Sequence, residues 1–85
     1  MALDKSERGR ITRTFNNAMW IFFEADWYWL QASRRVMFRC QDRQGEHYKP
    51  VPRGATFIGR YSRGATKDFL DDLDDIIVLC ERRGA

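Results

Sequence analysis

The stretch AMWIFFEADWYWLQAS, residues 18–33, decides the fold. Wound as a helix, it points Asp26 from the middle of an apolar side. Extended as a strand, it sends Ile21, Phe23, Ala25, Trp27 and Trp29 to one face and Glu24 and Asp26 to the other. The extended form misplaces fewer charges, and aromatic side chains suit a pleated surface. We therefore expect strand here; the helical alternative for 18–33 gives a helix-sheet-helix domain.

Upstream, RITRTF (10–15) and AMWIFF (18–23) flank Asn16 and Asn17, residues that tolerate a tight two-residue turn, so a first hairpin is expected behind a flexible arm of residues 1–9. Downstream, RRVMFRCQD (34–42) alternates cleanly, with Val36, Phe38 and Cys40 to one side and Arg35, Met37, Arg39 and Gln41 to the other. DRQGEH (42–47) reads as a turn and EHYKPVP (46–52) as a short strand. ATFIGRYS (55–62) reads as a further strand with a bulge at Gly59.

From Thr66, a good cap, Phe69, Leu70, Leu73, Ile76, Ile77 and Cys80 recur at helical spacing, and Gly84 closes the segment. The opposite side carries Asp68, Asp71, Asp72, Asp74 and Asp75, with Arg82 and Arg83 at the end. That order suits the helix dipole, yet five aspartates exceed what the dipole needs, since aspartate is a poorer helix former than glutamate. The expected fold class is α+β: a small antiparallel β-meander with one amphipathic, acidic C-terminal helix packed on it. With 85 residues there is room for one core, so residues 10–85 form a single domain.

Composition narrows the function. At 44% hydrophobic and 32% charged the chain is a folding sequence rather than a disordered one. Its longest apolar run, residues 18–23, is far below the ~20 residues of a membrane span, and its first ten residues carry charge where a secretory signal is apolar. A cytoplasmic protein without membrane attachment is expected. Cys40 and Cys80 are forty residues apart, and His47 is the sole histidine, so no zinc spacing exists and the thiols are expected to be buried. The aspartate cluster lacks the alternating spacing and the glycine of a calcium loop. No nucleophile-base pair or carboxylate pair is set out. We expect no enzymatic activity, no cofactor and no metal.

The tetrapeptide RGAT occurs twice, at 53–56 and 63–66. The second copy precedes a helix, as a phosphate-holding loop would, but Asp68, Asp71 and Asp72 follow at once and would repel an anion. Both copies are read as structural joints.

Two surfaces remain. Residues 1–67 carry a charge balance of +7 and residues 68–85 a balance of -4, so the chain is electrically polarised. Arg13, Arg35, Arg39, Arg60 and Arg63 could form a basic, aromatic-bearing sheet surface for nucleic acid. The acidic helix could instead meet a basic groove on another protein, with Trp20, Trp27, Tyr28 and Trp29 as anchors, because so many aromatics cannot all enter a small core. The leading expectation is protein binding that occupies a surface of another macromolecular complex; direct nucleic-acid binding and a homo-oligomeric structural subunit, including a homodimer, are the alternatives. In its length and its lack of catalytic motifs the chain resembles the stand-alone inhibitors of phages and mobile elements that block host nucleic-acid-handling complexes, the anti-CRISPR proteins among them.

Overall fold

The computed structural model describes residues 2–40 and 50–84. The first element is a helix, α1 (Lys5–Ile21). Asp4 caps it: Glu7 N–H donates to Asp4 Oδ1 at 2.7 Å, and Asp4 N–H donates to Glu7 Oε1 at 3.2 Å. Its first turn falls within residues 1–9, which the sequence suggested as a flexible arm.

The expected hairpin around Asn16 and Asn17 does not form; both asparagines sit exposed within α1. Two physical reasons favour the helix. Ile11, Phe15, Ala18 and Met19 are buried at helical spacing, and the Asp4-to-Glu7 capping box fixes the start. The hydroxyls of Thr12 and Thr14 donate to the carbonyls of Arg8 and Arg10, one turn back, so these β-branched residues are accommodated in the helix. Consequently residues 18–21 of the deciding stretch are helical, and the strand begins only at Glu24.

Strand β1 (Glu24–Leu30) buries Ala25, Trp27 and Trp29 as the alternation predicted. A turn through Arg34, whose φ is 50°, leads to β2 (Arg35–Arg39), where Val36 and Phe38 face the core. The third strand is β3 (Ala55–Ser62). The expected turn at 42–47 and His47 lie outside the described residues, as does most of the expected strand at 46–52; its described end, residues 50–52, is not strand.

All pairings are antiparallel, in the order β2-β1-β3. The third strand thus returns to the first, making the aromatic strand β1 central instead of the second strand, as a simple meander would have it. Trp27 pairs with Gly59 and Tyr28 with Phe57, so Ile58 is the extra residue of a bulge beside Gly59. The glycine is required by a close approach: a Cβ there would stand 2.9 Å from the Tyr61 hydroxyl oxygen.

The acidic helix is α2 (Thr66–Gly84). Both helices pack on one sheet face and run antiparallel, since Arg8 pairs with Asp74 at 2.6 Å while Thr66 donates to Asn16 at 2.8 Å. Phe15 and Phe69 stack at 4.3 Å between the helices, and Trp27 lies 5.1 Å from each ring. Arg34 ties the far end: it bonds Glu7 of α1 at 2.6 Å and Glu81 of α2 at 3.1 Å, while its carbonyl accepts from Arg10.

Candidate functional site

Where α1 ends, the chain exposes four large apolar residues in a row. Trp20 is 75% exposed, Ile21 70%, Phe22 42% and Phe23 64%. The phase of α1 gives the reason for the first two: Phe15, Ala18 and Met19 occupy the core stripe of the helix, and Trp20 and Ile21 fall off it. Phe22 closes the helix, its N–H donating to Ala18 at 2.8 Å, and its ring leans toward Phe38 of β2 at 5.9 Å. Phe23 then stands outside before β1 begins.

This knuckle is held by one arginine. Arg63 Nε donates to the Met19 carbonyl at 2.7 Å and Nη2 to the Trp20 carbonyl at 2.5 Å. Its guanidinium lies 5.2 Å from the Trp20 ring centre and 5.8 Å from that of Phe23, and its backbone N–H donates to the Phe23 carbonyl at 2.9 Å. The last turn of α1 contains no basic residue, so a cation from another segment meets its terminal carbonyls. Arg63, expected at a nucleic-acid surface, is exposed and caps a helix.

The remaining residues of the second RGAT are also structural. Gly64 adopts a φ of 93°, the Ala65 carbonyl accepts from Phe69, and Thr66 bonds Asn16 as the first residue of α2. In the first RGAT, Gly54 has a φ of 88° and Ala55 N–H closes a turn onto Pro52. Both repeats are joints.

Of the expected anchors, Trp20 is at the surface. Trp27 and Trp29 have no exposed surface at all: they are the centre of the core, because central placement of β1 buries its inward face under both helices. Tyr28 is also largely covered, between Phe57 at 5.3 Å and the Arg39 guanidinium at 5.5 Å on the opposite sheet face.

The five aspartates divide. Asp74 is half-buried against Arg8 and Leu3 N–H, and Asp72 accepts from the Tyr61 hydroxyl at 2.5 Å. Burial and that bond together push the Tyr61 phenol pKa well above its ordinary range. Asp71 pairs with Lys67 at 2.8 Å, which holds its carboxyl below the usual range. Asp68, Asp71, Asp72 and Asp75 remain exposed along the outer side of α2. Because Arg63 and Thr66 both touch the last turns of α1, the acidic first turn of α2 stands at the same end of the molecule as the knuckle.

The five arginines are not one patch. Arg35, Arg39 and Arg60 share the sheet face opposite the helices, but Arg60 is bound by Asp26 at 2.8 Å and approaches Glu24 at 3.9 Å. Arg13 is on α1, across the sheet from them. Cys40 and Cys80, expected to be buried, are only partly covered, and the Cys80 Sγ lies 3.7 Å from the Thr56 hydroxyl. Among the described residues no cluster of His, Cys, Asp or Glu could hold a metal ion, and no helix is long and apolar enough to cross a membrane.

Sequence reading missed three exposed apolar residues, Val51, Phe57 and Leu79. Leu79 was detectable because it falls off the Phe69-Leu73-Ile77 stripe; Phe57 needed the bulge to set which face it occupies. Comparison with protein-family models, curated proteins and solved structures finds no match for this chain.

Proposed function

We propose that this protein acts by binding another protein through the knuckle of Trp20, Ile21, Phe22 and Phe23, with no catalysis of its own. The exposure of these four consecutive side chains carries the reading. Isolated exposed apolar residues are ordinary, whereas a contiguous group costs solubility and marks a contact surface. Arg63 fixes the knuckle before binding, which lowers the ordering cost of association. Asp68 and Asp71, at the same end, add negative charge beside the apolar centre, so the complementary surface is an apolar pocket with a basic rim. Surfaces of that character occur on proteins that handle nucleic acid, and an inhibitor of such a host complex, in the manner of an anti-CRISPR protein, is the most concrete form of the proposal.

The test pairs capture with variants. Trp20→Asp with Phe23→Asp leaves the core untouched and should abolish capture of the partner from host lysate. Asp68→Lys with Asp71→Lys should slow association and flatten its salt dependence. Capture of the same partner by the aromatic double variant, folded by circular dichroism, would refute the proposal.

A second reading rests on the sheet face that no described element covers. It presents Arg35, the half-exposed ring of Phe57 and the Arg39 guanidinium that lies over the covered Tyr28, a combination of cations and an aromatic that suits single-stranded nucleic acid. A salt titration with labelled DNA and RNA from about 50 to 200 mM distinguishes it, since phosphate contacts give a steep slope that Arg35→Glu with Arg39→Glu would remove.

A further inference from the structure

A hollow on the surface of α2 is lined by Ile76, Leu79, Cys80 and Arg83, closed on one side by Thr56 of β3, with a volume of about 190 Å³. The four helix residues stand at i, i+3, i+4 and i+7. That diamond is the hole into which a facing helix inserts a side chain when two helices pack. Leu79 on its rim is itself 50% exposed, a projecting knob. Knob and hole lie on one patch, as a two-fold interface between identical chains requires.

Charge selects the occupant and its direction. In an antiparallel pair with Leu79 facing Leu79, the residue one turn earlier faces the residue one turn later. Asp75 then opposes Arg83 of the other chain, twice by symmetry, and all four side chains are exposed in the single chain. A parallel pair would instead oppose Asp75 to Asp75 and Arg83 to Arg83. With acids in its first half and Arg82 and Arg83 in its last turn, α2 is its own electrostatic complement.

We infer that the protein forms a two-fold homodimer in which α2 packs antiparallel on α2 of a second copy, each Leu79 seated in the other's hollow. The surface lies apart from the knuckle, so the dimer would present two knuckles.

The experiment is sedimentation equilibrium at low salt from about 10 μM to about 1 mM. Wild type should dimerise across this range. Asp75→Arg alone and Arg83→Asp alone should each weaken the dimer about tenfold or more, because each homodimer then opposes like charges. An equimolar mixture of the two variants should recover a heterodimer, since every opposed pair is again Asp with Arg. Leu79→Ala should weaken the dimer in all combinations. A wild-type monomer throughout the range overturns the inference, as does a dimer that survives these variants or dissolves on Trp20→Asp. Far-ultraviolet circular dichroism verifies that each variant is folded.

Discussion

Arg63 donates to the carbonyl oxygen of Trp20 at 2.5 Å while its guanidinium lies 5.2 Å from the centre of that residue's indole ring. One side chain therefore both ends a helix and positions the most exposed aromatic of the protein. Replacing it with methionine keeps a long stem but removes the donors. Arg63→Met should lower stability by about 1–2 kcal/mol in urea titration, the scale of lost charge-assisted bonds at a partly solvated helix end. Amide exchange at the end of α1 should accelerate more than elsewhere.

The three tryptophans should separate cleanly. Trp20→Ala should change stability by less than about 0.5 kcal/mol, the usual range at exposed sites. Trp27→Ala, which empties the centre of the core, should cost about 3–5 kcal/mol. Acrylamide should quench one indole readily in wild type and none in Trp20→Phe, whose remaining indoles are shielded. Ready quenching in that variant would contradict the burial of Trp27 and Trp29.

At Gly59 an added side chain would press on the Tyr61 ring, so that something must shift. Gly59→Ala should force the phenol away from Asp72 and cost about 1–3 kcal/mol through overpacking. Tyr61→Phe in the same background should recover part of the loss, because removing the hydroxyl removes the nearest clashing atom. Equal destabilisation with either residue at 61 would show that the ring carbons, at 3.0 Å, and not the hydroxyl make the clash.

The ion pair of Glu7 and Arg34 should mark itself by pH. The bond from Arg34, then that from Asp4 N–H, holds the Glu7 carboxyl below the usual range. Its stabilising effect is complete above the ordinary glutamate value and is lost as pH falls through the lowered one. The stability of wild type relative to Glu7→Gln should therefore be constant above about pH 5.5 and shrink as pH drops through about 4 and below. Glutamine keeps the capping acceptor, so the difference isolates charge.

Where alternation or helical spacing was strict, the sequence was legible: Val36 and Phe38, Ala25 with Trp27 and Trp29, and the stripe of α2 all took their expected faces. The bulge at Gly59 was legible too, because a glycine within a strand leaves little else for it to do. Residues 10–21 were misread because Asn16 and Asn17 resemble a turn, although the capping box of Asp4 and Glu7 announced a helix start upstream. The candidate site was half visible. An excess of aromatics was evident, but which of them stayed outside depended on where α1 ended and on which strand became central.

By itself, the sequence determined the acidic helix, the strand faces and the two glycine joints, since each follows from local spacing or backbone freedom. Only the tertiary structure decided that β1 lies between its neighbours, burying Trp27 and Trp29. It alone brought Arg63 across more than forty residues of chain to cap α1. Such outcomes depend on long-range pairing and on carbonyls left open at a helix end, which no local pattern of residue types encodes.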